Sequence, residues 1–476
     1  MTSPTALAHQ GFSLTEPLPV PVPGDPAQLP RLLPRHGAVP VRLADHLRGC
    51  GPVPYRGGSG QLIREVAAAG LTGRGGAAFP VHRKLAAVAG GPQPVVIGNG
   101  AEGEPASSKD KSLLWISPHL VLDGLQLAAE AVGSRTIGLY VHRHPRLLRH
   151  LQVALAERID GRVDRAPVEL IEAPSRFLAG EASSLASVVT GGAALPRLKE
   201  PRLSERGVAG RPTLVQNVET LAHLALIARY GARWFRSAGT SAEPGSMLTT
   251  VHQASGRTDV AEAALGSPLT DLLRLADAGA VLVGGYHGAW LTTAETAGLR
   301  LCNASLRPAG AFAGAGVLAA LPAGRCGLAE TARVVRYLAL ESAGQCGPCF
   351  NGLPRMASAL AVLARVDTLP VGDGIPRGHP GPRGPRAPDG GPARRGMAGR
   401  WPDPAAARAD LERWTGLVEG RGACHHPDGT ARLVRSALRV FAAEAGRHCQ
   451  GQCTGTEARP FLPLPPEPAI DAADWR

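Results

Sequence analysis

Three groups of residues have the types and spacing to do chemistry. The first is the run Gly73-Arg74-Gly75-Gly76-Ala77-Ala78-Phe79-Pro80. Its glycines let backbone N–H groups approach a phosphate or a flat ring, with Lys84 and Arg74 as candidate balancing charges. Gly73-x-Gly75-x-x-Ala78 superficially matches a dinucleotide fingerprint. That fingerprint needs a strand before it and a helix after it; here a helix precedes and Phe79-Pro80 follows, so a Rossmann NAD site is not expected. The second group is Glu102 and Glu104, just past the buried strand Val95-Val96-Ile97. Ligand sites in α/β sheets gather at such strand ends, although two acids on a solvated loop is an equally good reading. The third is Cys346-x-x-Cys349 with Cys424-His425-His426. This spacing admits an iron–sulfur cluster, a Cys₃His zinc site or no metal. Cys449-x-x-x-Cys453 beside His448 reads as tail thiols with no shared role, and His142, His144 and His150 as a solvated basic face.

The elements that must position these groups follow from periodicity and turn chemistry. Residues 1–56 read as an arm with little regular structure. Gln61–Ala69 has helical spacing with Gly70 as C-cap. Pro118–Val132, Pro145–Ala156 and Gly180–Val189 read as helices, Thr136–Val141 and Val168–Ile171 as strands, and Val215–Tyr230 as a further helix. Strands alternating with helices predict an α/β layer with a largely parallel sheet. From Gly245 to Ala323, short apolar runs between glycine-rich turns predict a small β-rich domain. Arg325–Glu341 and Gly347–Arg365 read as helices. Residues 371–400 hold 9 Gly, 6 Pro and 6 Arg, too few apolar side chains to pack, and read as a loop. Pro404 opens another helix, Asp428 is expected to cap a last one reaching Ala445, and the tail from Thr454 is expected to be mobile.

Composition narrows the function classes. The chain has 476 residues, 44% hydrophobic and 19% charged, which suits two to four globular domains. The Pro-rich N-terminal stretch has no secretory pattern and no apolar run is long enough to span a membrane, so a cytoplasmic location is expected. Eight cysteines then read as metal ligands or buried thiols rather than disulfides. The net charge of +12 is spread along the chain without a nucleic-acid module, and no nucleic-acid partner is expected. Only four of the 51 Lys+Arg residues are lysine, namely Lys84, Lys109, Lys111 and Lys199. A chain that so favours Arg is expected to keep Lys where a compact ammonium is needed, as at a phosphate.

Together these segments resemble a known family. Gly70–Lys84, Asn99–Asp110, Phe177–Glu181, Arg197-Leu198-Lys199, Arg211–Thr220 and Glu341–Cys349 are similar, in order, to motifs of the NADH-oxidising flavoprotein subunit of respiratory complex I and its relatives in bidirectional hydrogenases and formate dehydrogenases. The resemblance covers about residues 60–450. It implies an N-terminal arm (1–56), an α/β flavin-binding domain (57–240), a small β-grasp, SLBB-like domain (245–323) and a C-terminal helical bundle (325–450), then a tail (454–476). It implies FMN held by Gly73, Arg74, Gly75, Gly76, Lys84, Asn99, Glu102, Gly180, Glu181, Asn217 and Thr220. Glu104, Lys199 and Glu181 would act where NADH meets the flavin. Cys346, Cys349 and Cys424 would hold an iron–sulfur cluster, [4Fe–4S] or [3Fe–4S], and this context ranks iron–sulfur above zinc. Expected partners are a ferredoxin-like or [2Fe–2S] electron-transfer protein and a membrane redox complex.

The sequence departs from the family pattern at several points. Ala101 replaces an Asp, Ala182 a Glu and Gln216 an Asn, and Ala87 and Arg202 replace two Phe. Ala343 stands where the family has the first cluster Cys; His425, His426, Cys326, Cys449 and Cys453 are candidate substitutes. Losing an aromatic–base stack weakens binding by roughly 1–3 kcal/mol. The expectation is that FMN binding survives better than NADH binding. A redox-degenerate assembly subunit that keeps only the fold is the alternative.

Overall fold

The computed structural model describes residues 29–34, 39–197, 201–365, 404–453, 455 and 459–465. Two sheets and a helical bundle follow one another along the chain. The first sheet has four parallel strands, β1 (Val95–Gly100), β2 (Thr136–His142), β3 (Val168–Ala173) and β4 (Thr213–Asn217), in the order β3-β2-β1-β4. Parallel neighbours need crossovers. Helices Lys109–Ile116 and Pro118–Val132 connect β1 to β2, Pro145–Asp160 connects β2 to β3, and Ala182–Val189 lies between β3 and β4. The strand order reverses between β1 and β4, which makes their carboxyl ends a topological switch point.

Pro118–Val132 begins with Pro at its first turn and stops at Gly133, whose φ of 73° closes the cap. The expected helix over Val215–Tyr230 is instead the end of β4 followed by the helix Val218–Phe235. Asn217 separates the two by accepting from Glu219 N as N-cap. Likewise Phe177–Gly180 is a separate 3₁₀ turn, and the helix starts at Ala182, capped by Glu181.

The second sheet holds β5 (Ser246–His252), β6 (Thr258–Ala264), β7 (Ala278–Val283), β8 (Ala289–Leu291) and β9 (Val317–Pro322) in the order β6-β5-β9-β7-β8. β5 and β9 are parallel, and the other pairs antiparallel. The bundle follows: Gly327–Leu340, a π-turn Pro348–Gly352, Leu353–Ala364, Pro404–Val418, His426–Val440 and Ala442–Cys449.

Four expectations are corrected. The arm carries a helix, Leu43–Cys50, with Leu32 and Leu33 buried in the first core. Asp428 is not a cap residue; it lies in the first turn of its helix and accepts from Gly420 N at 2.8 Å. The tail is docked over 459–465: Leu462 is buried, the Phe461 and Leu462 amides donate to Glu330, and Tyr286 Oη donates to the Pro463 carbonyl. The three histidines are not a solvated face. His144 caps Pro145–Asp160, His150 packs on Trp115, and burial pushes His142 down to about 4. The Arg-rich stretch 371–400 lies outside the described residues. Among the described residues no helix is long and apolar enough to cross a membrane.

Candidate functional site

The glycine run lies over the switch point. Gly73 N donates to the Phe79 carbonyl at 2.9 Å, closing the turn on itself. Gly76 has a φ of 103°, a conformation only glycine adopts without strain. Gly75 comes so near β4 that a Cβ there would sit 3.3 Å from Asn217 Cβ. Asn99 and Asn217 are register partners at the ends of β1 and β4. Asn99 Nδ2 donates to the Gly180 carbonyl at 2.8 Å, and its Oδ1 accepts from Ala101 N. The loop after β1 and the turn at 177–180 meet backbone to backbone. A Cβ on Gly180 would lie 2.4 Å from Ala101 O, and one on Gly103 would lie 2.2 Å from Phe177 O.

Beside this cradle opens a cleft of about 1530 Å³. Its walls carry Lys84, Glu181 and four arginines, Arg83, Arg197, Arg202 and Arg206. Lys84 Nζ reaches the Val215 carbonyl of β4 at 3.4 Å, and burial pushes its pKa down. An ammonium desolvated in this way gains most from a bound anion. Ala87, Ala182 and Arg202, three of the departures from the family pattern, all line this cleft. Gln345, next to Cys346, also lines it.

Other expected site residues are engaged in scaffolding. Arg74 is buried, and its guanidinium donates to the carbonyls of Ser246 (2.9 Å), Thr72 (2.9 Å) and Pro244 (3.3 Å), while its amide donates to Thr220 Oγ1 at 2.9 Å. It ties the glycine turn to β5 instead of pointing into the cleft. Glu102 accepts from Ser107 Oγ and from the amides of Asp110 and Lys111, holding the start of Lys109–Ile116. Glu104 is buried and accepts from Tyr286 N at 2.8 Å; burial outweighs its two amide donors and raises its pKa to about 7. Glu181 accepts from the amides of Ser183 and Ser184. Lys199 lies outside the described residues.

Sequence reasoning missed the strongest electrostatic feature. Lys109 Nζ sits 2.7 Å from both Asp110 and Glu219 in the interior. Burial opposes all three charges. Asp110, Glu219 and Glu102 nonetheless raise the Lys109 pKa, and Lys109, with His223 and Arg74, holds Glu219 down at about 2. Asn217 Nδ2 donates to the other Asp110 oxygen at 2.7 Å, which joins this ion cluster to the cradle. A Lys-Asp pair at a helix start was the available signal.

Two of the three expected cluster thiols meet directly. Cys346 and Cys349 Sγ are 3.7 Å apart, and Cys424 is near enough to weigh on Cys349, whose pKa burial and its neighbours raise to about 12. Ala343 packs in an apolar contact with Leu178, Ala179 and Ala194. Of the candidate substitutes, His426 is hydrogen-bonded to His287 and to the Leu338 carbonyl, His425 pairs with Asp428, Cys449 is exposed, and Cys326 and Cys453 gather elsewhere with His448.

The sequence and the fold are similar to those of known proteins. Residues 66–226 match the family described as the Nuo51 FMN-binding domain. The chain is 28% identical over 413 residues to an F-type NADH-quinone oxidoreductase chain of Rhizobium meliloti (strain 1021), covering 82% of this chain and 89% of that one. It is 30% identical over 345 residues to the alpha chain of the NAD-reducing hydrogenase HoxS of Cupriavidus necator, covering 66% of this chain and 56% of the relative. The fold is shared with the NAD⁺-reducing [NiFe]-hydrogenase in its H₂-reduced state, with a TM-score of 0.69 at 24% identity, over 84% of this chain and 64% of that one.

Proposed function

Because the chain is of the kind found as the NADH-oxidising flavoprotein of complex I, we propose that it is an NADH dehydrogenase-like oxidoreductase that takes electrons from NADH or a similar donor onto FMN and hands them to a partner protein. The observation that carries this is the cradle at the ends of β1 and β4, beside a cleft lined, among the described residues, by five cationic side chains, Lys84 and the four arginines, and one carboxylate, Glu181.

The residues present fit FMN. Glycine backbone at 73–76 packs against Asn217 with no side chain between them, and Asn99 and Asn217 supply polar edges. Lys84 supplies the charge for a phosphate. FMN, when bound, would supply hydride acceptance and release of electrons one at a time. The protein's share is positioning. The loop Asn99–Glu104 and the turn Phe177–Gly180 lock each other in place, which holds the cradle rigid. Arg83, Arg197 and Arg206 suit the two phosphates of a dinucleotide, and the Arg202 guanidinium can stack on its base in place of an aromatic ring. Cys346, Cys349 and Cys424 would hold an iron–sulfur group beside the cleft, one thiolate short of the usual four.

The strand order β6-β5-β9-β7-β8, with β5 and β9 parallel at its centre, supports reading 245–323 as a β-grasp, SLBB-like domain. It would lie between a flavin domain at 57–240 and an iron–sulfur domain at 325–450. A ferredoxin-like or [2Fe–2S] protein is the partner this arrangement suits, at the cytoplasmic side of a larger redox complex.

The test is an anaerobic absorbance spectrum with FMN analysis, followed by titration with NADH. The expected result is bound flavin whose absorbance bleaches on NADH addition. Colourless protein that refuses added FMN would overturn the proposal and leave a scaffold subunit.

A further inference from the structure

We infer that Cys326, His448 and Cys453 form a zinc site, separate from the Cys346–Cys349–Cys424 thiols, that staples the C-terminal tail to the start of the helical bundle. The ligand atoms of these three residues lie within 4.8 Å of one another, the one such group of His, Cys, Asp or Glu among the described residues. They come from three places. Cys326 is the N-cap of Gly327–Leu340, His448 is on Ala442–Cys449, and Cys453 follows on the tail.

The geometry is that of a ligand set. Cys326 Sγ and His448 Nε2 are 3.7 Å apart. Zinc–sulfur and zinc–nitrogen bonds at a tetrahedral angle place such atoms about 3.6 Å apart. His448 is fully buried, and its Nδ1 lies 2.9 Å from the Leu363 carbonyl. A carbonyl only accepts, so Nδ1 carries the proton and Nε2 presents its lone pair to the two thiols. This outer hydrogen bond is the one that orients metal-binding histidines. The tail is held by its backbone: a Cβ on Gly455 would sit 2.8 Å from Cys326 Cβ, so glycine is what lets the chain return this closely after Cys453.

Helix capping accounts for part of the cluster. Cys326 accepts from Ala329 N, its thiol donates to Glu444 Oε1 at 2.6 Å, and Glu444 also takes the Leu328 amide. Capping explains neither the aim of His448 Nε2 nor the return of Cys453. Two thiolates and an imidazole are the donor set zinc prefers. Binding Zn²⁺ releases the Cys326 and Cys453 thiol protons to solvent, and the two thiolates cancel the ion's charge. Cys453 is exposed, which leaves the fourth position to water.

The test uses the full chain, depleted of metal, reloaded with Zn²⁺ and dialysed, with Co²⁺ as a spectroscopic probe. The expected result is about one zinc per chain, and a thiolate-to-cobalt absorption band after Co²⁺ loading. Both should persist in the triple variant Cys346→Ser, Cys349→Ser, Cys424→Ser, which removes the other thiols. Both should be lost in Cys453→Ser, an exposed position whose change leaves the core intact. The affinity should fall by more than the roughly 10–100-fold typical of outer-shell changes. Zinc that disappears in the triple variant, or that survives Cys453→Ser at full affinity, would overturn the inference.

Discussion

Asn99 and Asn217 face each other in register across two neighbouring parallel strands, and each fastens a different neighbour, Gly180 and Asp110. Asn217→Ala removes a helix cap and strands one oxygen of a buried carboxylate. The expected loss is about 1–2 kcal/mol for the cap alone, read as a lower urea midpoint, together with weaker FMN retention on gel filtration. Asn99→Ala should lose flavin with a smaller stability change, since its two hydrogen bonds, to Gly180 O and from Ala101 N, are only partly buried and cap no helix. Full flavin occupancy in both variants would remove these residues from the site.

Gly180→Ala drives a methyl group into the Ala101 carbonyl, 2.4 Å away. Backbone cannot yield as a flexible side chain does, and overpacking of this kind typically costs about 1–3 kcal/mol. Thermal melts should show Gly180→Ala clearly destabilised, while Gly347→Ala, where a Cβ meets nothing within 4 Å, stays close to wild type.

Glu104 makes stability depend on pH in an uncommon direction. Its pKa rises from an ordinary 4.5 to about 7 on folding. Between those values the folded chain holds a proton that the unfolded chain has released. Raising the pH through this window therefore destabilises the fold, by about 3 kcal/mol once the group is fully ionised. Glu104→Gln keeps an acceptor for Tyr286 N and removes the charge. It should be more stable than wild type at about pH 8 and gain little at about pH 4.5, as compared by urea midpoints. An equal difference at both values would refute the assignment.

Arg202→Phe restores an aromatic face at a cleft position. A base–aromatic stack contributes roughly 1–3 kcal/mol. Steady-state kinetics should show KM for NADH falling about tenfold, with FMN content unchanged. A rise in KM would mean that Arg202 meets a phosphate instead.

Where local chemistry decides, the sequence was readable. Pro118 and Gly133 bracket one helix, and Gly70 ends another with a φ of 71°. The loop residues Gly75, Asn99, Gly180 and Asn217 come together at the carboxyl ends of β1 and β4. Tertiary partners decided the rest. Val215-Gln216-Asn217 extends as β4 because β1 offers a hydrogen-bonding edge, which no window of sequence contains. Of the rare lysines, Lys84 lines the cleft, whereas the Lys109 ammonium is balanced by Asp110 and Glu219 in the interior. Arg74 looked like a ligand because it sits between glycines, yet two of the three carbonyls that claim it lie about 170 residues away in sequence.

That long reach of Arg74 has a mechanical meaning. One planar cation is bolted to Thr72 beside the glycine turn and to the first strand of the five-stranded sheet, so the two layers have no slack between them. A strain applied to the five-stranded sheet is therefore carried to the glycine turn through a single side chain.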